Sequence, residues 1–267
     1  MPMFDAFRHP VLRPDEASLF DLSDVDWSAW CDQFLSESDR AAVASSGICL
    51  MDPAVIANAG FQSTASKLRQ SNRAWFTLQP DLNAADPHQQ LREAKDAGIR
   101  GITFHSYLQH ISDDRFPLVV ELSQLAEELG MFVGLCTAYG SRQIYRYDNL
   151  RLTVEVLNAV KCPVVMYHAG GAKVLDAMLI AEMWDNAYLE TSFSLSYWLG
   201  SSIETDLAFV IRKLGSERIL FGSDAPFIPL DQSIEDHQQF LRRHDFNQTD
   251  SDNIMGRSCR RLLSEYQ

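Results

Sequence analysis

The stretch Arg218–Phe227 reads RILFGSDAPF, and its reading decides the fold. Ile219, Leu220 and Phe221 form a short apolar run of the kind a fully buried parallel strand requires. Gly222 and Ser223 let the backbone pass close to a neighbour, and Pro226 stops the ladder because it has no N–H to donate. Asp224 therefore falls at the carboxyl end of a buried strand, where ligands and catalytic groups gather in α/β folds. Taken alone, it serves equally well as a cap for the following helix or as a turn residue.

Working outward, seven further segments read as strands: Met3–His9, GICLMDP from Gly47, Ala74–Leu82, Arg100–Tyr107, Met131–Thr137, PVVMYHAGG ending about His168, and AYLETSFS. Helices are expected over Trp27–Leu35, Ser38–Ala44, part of 54–72, Asp86 to Gly98, Pro117–Leu129, Asn149–Val160, Ala172–Trp184 and Ile203–Leu214. Asp86 with Pro87 gives an N-cap and a first-turn proline, and Gly98 and Gly130 give glycine stops. Two closing helices, Ser233–His244 and Ser251–Tyr266, complete the chain. Eight buried strands alternating with helices predict an α/β protein of the (β/α)8 TIM-barrel class, one domain over residues 1–267. A doubly wound open sheet would carry a glycine-rich phosphate loop after an early strand. Neither GxGxxG nor a Walker motif is present.

Composition narrows the function. A formal net charge of -13 argues against nucleic acid, whose phosphates need a cationic face. An anionic substrate would need a local arginine cluster to overcome that field. The five cysteines (Cys31, Cys49, Cys136, Cys162, Cys259) lack CxxC spacing and read as reduced thiols of a cytoplasmic protein. No apolar run approaches the roughly 18 residues of a membrane span, so no membrane partner is expected. A homodimer is compatible with the class, since two-fold dimers are the commonest oligomers.

At the expected strand ends stand His9, His105, Tyr107, Cys136, His168 and Asp224. Imidazoles and a carboxylate converging from separate strands suit a divalent ion such as zinc or manganese, which lowers the pKa of bound water to about 7. Alternation in MFDAFRH puts Asp5, Phe7 and His9 on one face and turns Arg8 outward, toward salt bridging with the outer helices. The loop AYGSRQIYRYDN interleaves Arg142 and Arg146 with Tyr139, Tyr145 and Tyr147 on the rim, read either as a substrate-binding set suited to a carboxylate or as an ordinary polar loop with cation–π contacts. Glu190 is read either as a site acid or as a buried partner for a nearby cation.

RILFGSDAPF, VVMYHAGG, GIRGITFHSYLQ, LSQLAEELGMFV and NIMGRSCRRLL together resemble the amidohydrolase superfamily. The resemblance is to the branch of the 2-pyrone-4,6-dicarboxylate lactonases and the aminocarboxymuconate-semialdehyde decarboxylases. It implies a barrel hydrolase in which Asp224 takes a proton from the attacking water and His168 binds metal or polarises the substrate. Two departures stand out. The His-x-His pair of the family is Phe7-Arg8-His9 here, and the strand-five histidine is replaced by Cys136, or by Thr137 if the register slips by one.

Three readings follow. Cys136 as thiolate could join His9, His168 and Asp224 in a four-ligand metal site. Alternatively the protein works without metal, as a lactonase-like hydrolase of a C–O or C–N bond in a small, carboxylated molecule, with Asp224 as base and His168, His105 and arginines as electrophilic aid. Finally, the barrel could be catalytically silent and bind a small molecule or partner through the same pocket. Metal-dependent decarboxylation of a small acid is the rival enzyme reading.

Overall fold

The computed structural model describes residues 1–13, 19–138, 143 and 145–265. Eight parallel strands follow one another in chain order around a single sheet: β1 Met3–Arg8, β2 Val43–Leu50, β3 Ala74–Leu78, β4 Gly101–His105, β5 Phe132–Cys136, β6 Val164–Tyr167, β7 Ala187–Glu190 and β8 Ile219–Leu220. The seam between last and first strand is closed by backbone hydrogen bonds. Ala6 N donates to Phe221 O at 2.8 Å, Asp224 N to Phe7 O at 2.9 Å and His9 N to Ala225 O at 2.7 Å. The barrel expected from the alternation is therefore present.

The helices are α1 Trp27–Arg40, α2 Ala59–Gln70, α3 Pro87–Asp96, α4 Phe116–Glu128, α5 Asn149–Ala159, α6 Val174–Met183, α7 Ser194–Trp198, α8 Ser202–Leu214, α9 Leu230–Arg243, α10 Gln248–Asp252 and α11 Ser258–Glu265. Side-chain caps start several of them. Asp26 accepts from Ser28 N and Ala29 N, Asp86 from Gln89 N, and Asp148 from Arg151 N. The separate helix expected at Ser38–Ala44 does not exist. Ser38 continues the buried face of α1 set by Trp27, Cys31 and Phe34, and the chain reverses at Ala42 (φ 57°) straight into β2. Arg8 turns outward as expected and meets Glu37 of α1, Nη2 to Oε2 3.0 Å.

The larger core lies between sheet and helices, and a second cluster fills the barrel interior with Phe7, Trp75, Phe132, Val165, Tyr167 and Leu220. Cys259 and Leu262 of α11 join this inner cluster, with Phe4 packed against it, so the tail plugs the end where the strands begin. With that end sealed, the barrel interior opens at the carboxyl ends of the strands. Among the described residues no helix is long and apolar enough to cross a membrane.

Candidate active site

Above the carboxyl ends of the strands opens a cavity of ≈ 800 Å³, lined among others by Phe7, His9, His105, Tyr107, His168 and Asp224. Four strands, β1, β4, β6 and β8, supply these six side chains at or just past their carboxyl ends, and two of the six arrive by a local backbone device. Asp224 adopts a left-handed conformation, φ 57°, pinned by its N–H on Phe7 O. His168 does the same at φ 65°, opening the turn Ala169-Gly170-Gly171 that leads to α6. Left-handed backbone at residues other than glycine is sparsely populated and clusters at functional sites.

Two wholly buried carboxylates support these turns from below. Asp5 accepts from Ser223 N at 2.8 Å and Ser223 Oγ at 2.7 Å, steadying the residue beside Asp224. Glu190 accepts from Ser192 N at 2.6 Å, Ser192 Oγ at 2.7 Å and His168 N at 3.3 Å. Burial pushes both carboxyls up, Glu190 to about 8. Of the two readings for Glu190, pairing with a cation is not the one observed, because the hydrogen bonds it accepts come from Ser192 and His168.

Burial in the cavity disfavours the charged form of two of its imidazoles, His168 and His105. Burial lowers the pKa of His168, against the opposing pull of Asp224. Burial lowers that of His105 further, with His168 and His9 adding repulsion. His168 Nδ1 lies 3.1 Å from Ser192 O, which can only accept, so Nδ1 carries the proton and Nε2 is left as an acceptor. Asp224 Oδ1 is buried without a hydrogen-bond partner; His9 Nε2 approaches it to 3.4 Å, close enough to feel its charge but not to bond. His9 itself is clasped by the rings of Phe7, Phe20 and Phe227 at 5.0, 4.7 and 5.8 Å.

Other expected site residues fall elsewhere. Cys136 is buried beneath the cavity rather than in its lining, hydrogen-bonded with the Tyr107 hydroxyl, and burial pushes its thiol up. Tyr145 is 89% exposed, and Arg146 is exposed with its guanidinium 5.7 Å from the Tyr147 ring, so neither lines the cavity. The reason is local: Tyr147 turns inward to bond His110 Nδ1 at 3.1 Å, and Arg146 stacks over it. Arg142 and Tyr139 lie outside the described residues.

The donor set does not fit a divalent ion. Among the described residues no group of three or more histidine, cysteine, aspartate or glutamate side chains is gathered closely enough to hold one. Phe7 stands where the first histidine of a His-x-His pair would stand, its ring 5.0 Å from His9 and 5.5 Å from His168. Of the expected four-ligand set, His9, His168 and Asp224 line the cavity together, and Cys136 lies in the core beside it.

Sequence reading missed Ser192, the aromatic wall of Phe20, Phe193, Trp198 and Phe227, and His110, all but Ser192 lining the cavity. Their only signal is position after a strand. Phe193 reaches the cavity through another left-handed turn, φ 55°, which no bulky aromatic residue advertises.

The architecture has clear counterparts. A probable 2-pyrone-4,6-dicarboxylic acid hydrolase from Acinetobacter baumannii, solved with citric acid bound, superposes with TM-score 0.69 at 15% identity, covering 99% of this chain and 100% of that one. The 5-carboxyvanillate decarboxylase of Sphingomonas paucimobilis gives 0.62 at 15% identity over 98% of each chain. An amidohydrolase of Burkholderia multivorans with bound zinc gives 0.66 at 13% identity over 99% of each. Sequence comparison with curated proteins returns no match. The amidohydrolase family profile, in contrast, matches residues 63–264, which hold β3 through β8 together with His168 and Asp224. On that match the chain belongs to the amidohydrolase family.

Proposed function

We propose that the protein hydrolyses a C–O bond of a lactone or ester, or a C–N bond, in a small carboxylated molecule, with Asp224 as the base that activates water. The observation that carries this is the buried, unpartnered Asp224 Oδ1 in a cavity it shares with an acceptor nitrogen of His168. A water between them would give one proton to Asp224 while its second hydrogen is held by His168 Nε2, which orients the oxygen lone pair. Attack on the carbonyl carbon forms a tetrahedral intermediate. Its collapse breaks the C–O or C–N bond as Asp224 returns the proton to the leaving oxygen or nitrogen, releasing the alcohol or amine.

As an Nδ1–H tautomer, His168 offers no donor to the developing oxyanion. That task passes to His105, which lines the same cavity. The carboxylated substrate class is supported by the neighbours named for 2-pyrone-4,6-dicarboxylic acid hydrolase and 5-carboxyvanillate decarboxylase. Decarboxylation leans on a metal for which the donor set is unsuited, and hydrolysis is the reading we hold. Five free, buried cysteines support a reducing, cytoplasmic setting.

The test is Asp224→Asn on a panel of lactones, esters and amides bearing carboxylates. Turnover should fall by about 10²–10⁴ with an unchanged circular dichroism spectrum. Full activity in this variant refutes the assignment, and tight binding without turnover in the wild type favours a silent barrel.

A further inference from the structure

Glu190 and Ser192 form a chain that ends on His168. Glu190 Oε2 takes the Ser192 hydroxyl proton at 2.7 Å, so the lone pairs of that hydroxyl face His168 Nδ1, 3.1 Å away. The Ser192 carbonyl meets the same nitrogen at 3.1 Å, giving Nδ1 two acceptors and no donor. Glu190 also accepts from His168 N at 3.3 Å, at the residue whose backbone is held left-handed. A buried carboxylate costs stability that an apolar residue of similar size would not. The barrel nevertheless keeps a place for it: a Cβ at Gly222 would overlap Glu190 Oε1.

We propose that Glu190 is a positioning residue which, through Ser192, locks His168 in the Nδ1–H tautomer and aims the bare Nε2 into the cavity. The proposal rests on the hydrolase reading only for its catalytic consequence; the tautomer is a property of the resting protein. The donors around Glu190 (Ser192 N, Ser192 Oγ and His168 N) are placed for its ionised form, which burial confines to above about pH 8, so the tautomer is read at pH 9. The amide of Glu190→Gln must place a donating NH2 group toward Ser192 Oγ or toward Ser192 N. In the first arrangement the serine hydroxyl turns its proton onto Nδ1 and favours Nε2–H. The second sets two donors against each other and loosens Ser192.

The experiment is long-range ¹H–¹⁵N correlation of the His168 ring in the intact, ¹⁵N-labelled chain, recorded for wild type, Glu190→Gln, Ser192→Ala and Ser192→Thr. The wild type should show Nδ1–H alone. Glu190→Gln should bring in the Nε2–H form, Ser192→Ala should bring in a smaller fraction of it because the Ser192 carbonyl still accepts from Nδ1, and Ser192→Thr, which keeps the hydroxyl, should keep the wild-type pattern. With a turned-over substrate, kcat in Glu190→Gln should drop roughly tenfold or more while KM stays within about twofold.

A wild-type ring protonated on Nε2 overturns the proposal. So does a folded Glu190→Gln that keeps the wild-type tautomer. Should that variant fail to fold, the serine pair decides, and Ser192→Ala indistinguishable from wild type is then the overturning result. A tautomer that shifts while kcat does not would uphold the positioning role and refute the action of His168 on water.

Discussion

Asp5 and Phe7 are neighbours on one face of β1, and each controls the site in a way that a single substitution exposes. Asp5 binds both the N–H and the hydroxyl of Ser223, immediately before Asp224. Asp5→Ala strands three buried donors, Ser223 N, Ser223 Oγ and Phe7 N, and should cost about 2–4 kcal/mol in denaturant unfolding, with lost turnover following from the loosened Asp224. An unchanged unfolding midpoint would show that water replaces the carboxylate there. Phe7 puts a ring among His9, His168 and Tyr167, at 5.0, 5.5 and 4.2 Å between centroids. Phe7→His replaces that ring with a metal-ligating one, so the variant should bind zinc more tightly than the wild type in a calorimetric titration. Equal affinity for both proteins would mean that Asp224 and the remaining imidazoles are not placed to share an ion.

At the scale of the element, caps and stops that act within a few residues behave as read, whereas strand ends and short helices that depend on distant elements were harder to place. Asp86 accepts from Gln89 N, with Pro87 in the first turn of α3. Asp86→Ala should lower stability by about 1 kcal/mol without changing activity, because α3 lies on the outer layer. A thermal melt beside an activity assay checks both halves of that statement. β8 is the contrary case. Its ladder spans only Ile219–Leu220, yet residues 221 to 225 still bond β1, because the left-handed Asp224 breaks regular pairing while closure of the barrel demands it. The short helix α7, Ser194–Trp198, was invisible for a related reason: it begins at the left-handed Phe193, and only its packing at the cavity rim justifies that turn.

For the whole molecule, the buried ionisable groups set the pH dependence of stability, and two of them act with opposite sign. Glu190 is raised from 4.5 to about 8, so the folded state binds more protons than the unfolded one between those values. Its contribution is full below 4.5 and is lost as pH rises through 8. His237 is lowered from 6.5 to about 4 by burial, where Nδ1 meets Ser233 O at 2.7 Å and Nε2 meets Thr191 Oγ1 at 2.9 Å. Its contribution is full above 6.5 and is lost as pH falls through 4. The stability difference between wild type and Glu190→Gln should therefore shrink as pH rises from 4.5 to 8 in urea titrations. His237→Gln should flatten the rise that the wild type shows between 4 and 6.5. A pH-independent difference in the first pair would mean that Glu190 is ionised throughout and that its hydrogen bonds outweigh its burial.

The sequence by itself determined the barrel, the strand order and the strand ends from which His9, His105, Tyr107, His168 and Asp224 emerge, because alternation, capping and glycine or proline stops are local signals. Boundaries drifted where those signals were weak, as between α1 and β2. Only the tertiary structure decided that Cys136 belongs to the core, that Arg146 and Tyr145 turn away from the cavity, and that Glu190 and Ser192 sit behind His168. Those outcomes depend on which side chain reaches which neighbour across the barrel, a question of burial and hydrogen-bond partners that no spacing along a single chain encodes.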